Sequence, residues 1–160
     1  MTDESLALEI SERFEKTGNP SHWIKIFSKL STSIQRELLT GADLAPAEIP
    51  LFGGAWREAQ RKAGAVLKER VHLLVTTRRV QWSIGRARWL FPPESVMHIE
   101  DASTANRHFA SRGYFGLRRF TLELDDCTKV ELPSKGGGAA TSVWMALALL
   151  SIRRREAAKP

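Results

Sequence analysis

The apolar positions change their period along the chain, and the changes predict its elements. From Ser5 to Lys16, Leu6, Ile10 and Phe14 recur at a spacing of four, the stripe of an amphipathic helix, and Thr17-Gly18-Asn19-Pro20 stops it. Ser21 can cap a second helix whose stripe is Trp23, Phe27, Leu30, Ile34 and Leu38, with Lys25, Lys29 and Arg36 off the stripe and Gly41 at its end. Residues 45–68 leave two readings open. Pro46, Pro50, Gly53 and Gly54 break the first part, and Trp56, Ala59, Ala63, Val66 and Leu67 fit a helix, but a first strand with a long loop fits as well. From Glu69 the period becomes two: Val71, Leu73 and Val75, then a turn at Thr76-Thr77-Arg78-Arg79, then Val80, Trp82 and Ile84 predict a hairpin. Gly85-Arg86-Ala87-Arg88 turns into Trp89-Leu90-Phe91, which Pro92-Pro93 ends. Further strands are predicted at Ser95–Asp101, at Phe120, Leu122 and Leu124, and at Val130 and Leu132 beyond the Asp125-Asp126 turn. Lys135-Gly136-Gly137-Gly138 leads into a last helix, with Val143, Trp144, Leu147 and Leu150 as its core side and Arg153, Arg154 and Arg155 complementing the dipole at its C-terminal end.

Six or seven short strands between helices predict an α+β sandwich or barrel rather than βαβ units. With 160 residues and 42% hydrophobic content the chain has enough sequence for one domain. Its expected division is an N-terminal helical hairpin over 1–41, a barrel with its C-terminal helix over 42–156, and a tail at 157–160. Cys127 is the single cysteine, which excludes a disulfide framework and any zinc site of two or more thiolates. The acidic start Met1-Thr2-Asp3-Glu4 is unlike a secretory signal. The most apolar run, Ala139 to Ile152, is shorter than the roughly 20 residues that span a bilayer, so the expected location is cytoplasmic, with peripheral membrane contact as one form of it.

The formal net charge of +6 is concentrated in the middle of the chain: −3 over residues 1–50, +8 over 51–120 and +1 over 121–160. This favours an anionic partner. One cluster, Arg78, Arg79, Arg86, Arg88, Arg112, Arg118 and Arg119, is all arginine, and most of it sits at predicted turns or strand ends. The planar guanidinium fork suits phosphate better than a lysine point charge. Tyr114-Phe115, set between Gly113 and Gly116 beside Arg112 and Arg118, can enter a membrane interface or a partner's groove, or Phe115 can fold under its turn into the core. Trp82 alternates inward with Val80 and Ile84 and is read as core. Arg86, Arg88, Arg112 and Arg118 are expected to lie near one another.

Patterns of catalysis are missing. His22, His72, His98 and His108 show no i, i+4 pair and no His-Glu-x-x-His, so a helical metal site has no support; His72 and His98, in predicted strands, are read as structural, and no metal or other cofactor is expected. There is no Gly-x-Ser-x-Gly and no Ser-x-x-Lys, and the two aspartates before Cys127 raise rather than lower a thiol pKa. Lys135-Gly136-Gly137-Gly138 has its lysine on the wrong side of the glycines for a P-loop and reads as a linker. The acidic groups Glu94, Glu100, Asp101 and Glu123, Asp125, Asp126 read as solvated strand faces.

Val71-His72-Leu73-Leu74-Val75-Thr76-Thr77-Arg78-Arg79-Val80 has the pattern of an apolar strand, Thr, turn, Arg and a second apolar strand. Together with Pro93-Glu94-Ser95-Val96-Met97-His98-Ile99-Glu100, the strands from Gly116 to Leu124 and Thr128 to Leu132, and the final helix, it resembles the bacterial PH-like (pleckstrin-homology-like) domains and their GRAM-like relatives over about residues 45–155. The resemblance implies a bent β-barrel of about seven antiparallel strands, one end plugged by the C-terminal helix, with two N-terminal helices added. It also implies a non-catalytic binding module for lipid headgroups or protein segments. The expected partners are therefore anionic phospholipid headgroups or a protein, with the nine residues Arg78, Arg79, Arg86, Arg88, Arg112, Tyr114, Phe115, Arg118 and Arg119 as the ligand-binding face. Nucleic acid, held by the same arginines with stacked aromatics, is the alternative. Self-association through the N-terminal helices stays open.

Overall fold

The computed structural model of the chain describes residues 1–16, 23–62, 64–101, 117–135 and 137–160. In chain order the elements are α1 (Asp3–Lys16), β1 (Lys25–Ile26), a 3₁₀ turn (Phe27–Lys29), α2 (Thr32–Leu39), β2 (Pro50–Lys62), β3 (Ala65–Thr76), β4 (Val80–Ile84), β5 (Ala87–Phe91), a 3₁₀ turn (Pro93–Ser95), β6 (Val96–Asp101), β7 (Leu117–Leu124), β8 (Lys129–Lys135) and α3 (Gly137–Ala158). The architecture is α+β, with three helices and two antiparallel sheets ordered β1-β2-β3-β4-β5 and β6-β7-β8.

The described strands do not close into the expected seven-stranded barrel. They number eight, and no ladder joins the two sheets among the described residues. The break falls at Pro92-Pro93, which offers no backbone N–H to a ladder and turns the chain through the 3₁₀ segment, where Ser95 Oγ donates to the Pro92 carbonyl at 2.6 Å.

The open question over residues 45–68 resolves as strand. β2 and β3 form a long hairpin paired from Pro50↔Thr76 to Lys62↔Ala65, turning through Gly64 at φ +79°. Gly53 and Gly54, read as breakers, lie inside β2 because neighbouring backbone leaves no room for a side chain. A Cβ on Gly54 would overlap the Trp23 carbonyl, and one on Gly53 would overlap the Leu73 carbonyl and meet Leu38 of α2.

The expected second helix from Ser21 to Gly41 does not form as one element. Lys25–Ile26 pairs with Gly53 and Phe52 as strand β1, and a helix resumes only at Thr32. Side chains satisfy the backbone at the break. Ser31 Oγ caps α2 by accepting from the Ile34 N–H, and the Gln35 amide donates at 3.0 Å to the carbonyls of Phe27 and Leu30. The extended backbone reverses the inside of this segment: Ile24 is buried, whereas Trp23 of the expected stripe is 42% exposed, and of that stripe only Leu38 is fully buried.

The first helix forms as expected. Leu6, Ile10 and Phe14 of α1 join one core cluster with Trp56 of β2, Leu73 of β3, Trp82 of β4, Phe120 and Leu122 of β7, and Leu147 and Leu150 of α3. Phe14 stacks on Phe52 at 4.9 Å, and Trp82 on Trp89 at 5.3 Å. On α3, Val143, Leu147 and Leu150 are buried, but Trp144 is 40% exposed and Ala146 takes the inner place expected for it. The arginine trio near the end of α3 reaches other elements instead of only capping the helix. Arg153 pairs with Glu9 of α1 at 2.8 Å, Arg154 with Glu94 of the 3₁₀ turn, and Arg155 donates to the Val96 carbonyl at 2.7 Å.

Candidate functional site

Of the nine residues expected to bind a ligand, Arg78 and Arg79 are engaged inside the molecule. The β3–β4 turn sets Arg78 over the start of α1, where Nε and Nη2 donate to the Asp3 carboxylate at 3.0 and 3.2 Å and Thr77 Oγ1 donates to it at 2.6 Å. The guanidinium holds Asp3 below the usual carboxylate range, against the opposing effect of burial. Arg79 turns inward: its Nε donates to Glu48 at 2.6 Å and its Nη2 to Glu48 at 3.1 Å and to the Asp43 carbonyl at 2.8 Å. Burial pushes Glu48 upward. Arg79, Thr76 Oγ1 at 2.5 Å and the Ala45 N–H at 2.9 Å outweigh it and bring the carboxyl below its ordinary value.

Arg112, Tyr114 and Phe115 lie outside the described residues, as do His22 and His108. Arg118 and Arg119 are placed on β7 by their backbone, and their side chains are outside the description. The expected convergence of Arg86 and Arg88 with Arg112 and Arg118 therefore lies outside it as well.

Arg86 and Arg88 are exposed at the β4–β5 hairpin, whose turn needs Gly85 at φ +58°, and neither has a carboxylate partner among the described residues. Alternation fixes where Arg88 goes. Trp82, Ile84, Trp89 and Phe91 take the core side of β4 and β5, so Ser83, Gln81, Arg88 and Leu90 share the outer side. The register then aligns His72, Ser83 and Arg88 in one row across β3, β4 and β5. The C-terminal part of α2 borders this row. Glu37, Leu38, Thr40 and Gly41 with His72, Gln81, Ser83 and Arg88 line an open cleft of about 380 Å³.

The polar groups of the cleft form a chain. Arg70 grips Glu37 with two hydrogen bonds of 2.8 Å, Nε to Oε1 and Nη2 to Oε2. His72 Nε2 lies 2.8 Å from Glu37 Oε1, and its Nδ1 lies 3.3 Å from Ser83 Oγ. The Arg70 hydrogen bonds lower the Glu37 pKa from 4.5 to about 2, with His72 assisting and burial opposing. Ionised Glu37 only accepts, so the proton of neutral His72 sits on Nε2, and bare Nδ1 accepts from the Ser83 hydroxyl. On the far side, Gln81 Oε1 accepts from Arg79 and Arg88, each at 3.4 Å, which leaves its amide N–H groups for the cleft.

Serine, histidine and glutamate in a chain are the side chains of a hydrolytic triad. Here Ser83 is in the middle of β4, laddered on both sides by β3 and β5, so strand backbone supplies no free N–H pair to hold an oxyanion. His98 and Cys127 are exposed, and no group of three metal-ligating side chains occurs among the described residues. No described helix is long and apolar enough to cross a membrane.

Glu37, Gln81 and Ser83 escaped the sequence reading. Strand alternation already placed Gln81 and Ser83 on the outer face, but Glu37 joins them only because α2 folds over the sheet. Comparison of the chain with protein-family models, with curated proteins and with solved structures found no match.

Proposed function

We propose that the chain is a non-catalytic, PH-like binding module that docks on an anionic membrane surface through the outer end of the β4–β5 hairpin. The observation that carries this reading is the pair Arg86 and Arg88 on one hairpin: both exposed, both without a carboxylate partner among the described residues, with Arg88 lining a polar cleft. The five-stranded sheet β1 to β5 and the three-stranded sheet β6 to β8 are followed by one long helix, and strands followed by one closing helix are the part of the PH-like resemblance that supports this reading. Each arginine near an anionic surface contributes about 1 kcal/mol, screened by salt. This reading puts the protein on the cytoplasmic side of a membrane as a peripheral component.

The test is flotation with phosphatidylglycerol/phosphatidylcholine vesicles and with pure phosphatidylcholine vesicles across a salt series, beside titration with a single-stranded oligonucleotide. Binding to the anionic vesicles alone, weakening with salt, supports the proposal. Equal charge-driven binding to vesicles and oligonucleotide overturns it in favour of unspecific electrostatics, tighter oligonucleotide binding points to nucleic acid, and binding to neither turns the search to a protein partner.

A further inference from the structure

We propose that the cleft between α2 and strands β3 to β5 is a site for a phosphate monoester group, and that His72 takes up a proton when the group binds. The proposal deepens the membrane-docking reading and rests on the same face of the molecule.

The donors point to a tetrahedral anion. Arg88 brings a guanidinium whose side-chain hydrogen bond among the described residues, to Gln81 at 3.4 Å, is long and neutral. Gln81 turns its amide N–H groups away from Arg79 and Arg88, and Ser83 lies between His72 and Arg88 in the row. A fork and two neutral donors on one cleft wall match the several acceptor oxygens of a phosphate. Glu37, the one carboxylate among the described residues that line the cleft, does not oppose an anion with its full charge, because Arg70 neutralises it through two hydrogen bonds. The charge left for a ligand is that of Arg88.

The hydroxyl of Ser83 couples the site to protons. With His72 neutral, Ser83 donates to Nδ1 and presents only lone pairs to the cleft, which repel an anion. With His72 protonated, both ring nitrogens donate, Nε2 to Glu37 and Nδ1 to Ser83 Oγ, and the hydroxyl hydrogen is released towards the ligand. Protonation also adds a second positive charge to the cleft. The groups facing His72 are Glu37 from α2, with Arg70 of β3 behind it, Ser83 from β4 and Arg88 from β5. β2 contributes Ala55 in register with His72, and Arg57 in register with Arg70. Linkage is reciprocal: if acid strengthens anion binding, anion binding favours the imidazolium by the same factor.

The experiment follows backbone amides and the His72 ring by NMR while the full chain is titrated at constant ionic strength. The probes are inorganic phosphate and, because it does not change charge between pH 5.5 and 7.5, sulfate. Saturable shifts confined to residues 72, 81, 83 and 88 are expected, with tighter sulfate binding at pH 5.5. Arg88→Gln should lose about tenfold in affinity, the worth of one charged hydrogen bond. His72→Gln should keep the fold and abolish the pH dependence. Vesicles distinguish the sources of the group: phosphatidic acid, a monoester, binding better than phosphatidylglycerol, a diester, at equal surface charge marks a lipid headgroup, whereas saturation by inorganic phosphate with no such preference marks a soluble phosphate compound. Shifts spread over the surface, or unaffected by Arg88→Gln and Ser83→Ala, overturn the site even if phosphatidylglycerol vesicles still bind. An unchanged sulfate affinity between the two pH values overturns the role of His72.

Discussion

Replacing Glu48 tests whether Arg79 belongs to the frame of the molecule rather than to its binding face. Only 1% of the Glu48 side chain and 16% of the Arg79 side chain are exposed, at an N–O separation of 2.6 Å. The carboxylate accepts from Thr76, from Arg79 twice and from the Ala45 N–H. Glu48→Gln preserves the shape but removes the charge and one acceptor, leaving the guanidinium largely buried and uncompensated. Breaking such a pair costs about 3 kcal/mol, and for a domain of this size that lowers Tm by roughly 6–12 °C. Arg79→Ala should cost a similar amount for the converse reason. The double replacement Glu48→Met, Arg79→Met should cost less than the sum of its singles, because it leaves no buried charge behind. Urea unfolding at pH 7 with coincident fluorescence and circular dichroism transitions measures all three. An Arg79→Ala protein with unchanged stability and lost vesicle binding would refute the reasoning and return Arg79 to the ligand.

The remaining predictions concern other parts of the frame. Gly54→Ala, small as it is, forces apart β2 and the Trp23 backbone, and should destabilise the protein by about 3 kcal/mol or more in urea titrations; a neutral result means the N-terminal segment is not seated on β2. Ile10→Ala removes a fully buried side chain from the shared core and should cost about 2–4 kcal/mol, whereas Leu8→Ala, at a 64% exposed position of the same helix, should cost under about 0.5 kcal/mol. Because Glu37 is lowered from 4.5 to about 2, its contribution is complete above pH 4.5 and lost as pH falls towards 2. Glu37 is a third exposed, so solvent screening reduces that contribution to about 1 kcal/mol, and Glu37→Gln should flatten the stability profile over this window while leaving its shape above it unchanged.

What the sequence revealed follows the distance over which each contact acts. The period-two runs at Val71–Ile84 and Phe120–Leu132 report pairing between near neighbours, and strands formed there. Leu6, Ile10 and Phe14 report a helix with one buried face, and that face is buried. The stripe from Trp23 to Leu38 misled because its spacing suits a helix, while Lys25–Ile26 pairs with β2, an element the sequence left undecided, and Phe27–Lys29 turns as a 3₁₀ segment. Gly53 and Gly54 carried two meanings, breaker and close approach, and only the packing of Trp23 and Leu38 on them selects the second. Among the candidate ligand residues, the sequence displayed arginines at turns without their partners. Asp3 lies 75 residues from Arg78, and Glu48 31 residues from Arg79, so local pattern gave no sign that either cation was occupied.

The most direct measurement of the central claim is vesicle flotation of the wild-type chain beside Arg86→Gln/Arg88→Gln, a double variant altered only at exposed positions and matched to the wild type in melting temperature. Wild-type protein should float with phosphatidylglycerol vesicles at low salt and dissociate as salt rises. The variant, lacking two contributions of about 1 kcal/mol each, should bind roughly 30-fold more weakly. Equal flotation of the two proteins would contradict the placement of the docking face at the β4–β5 hairpin.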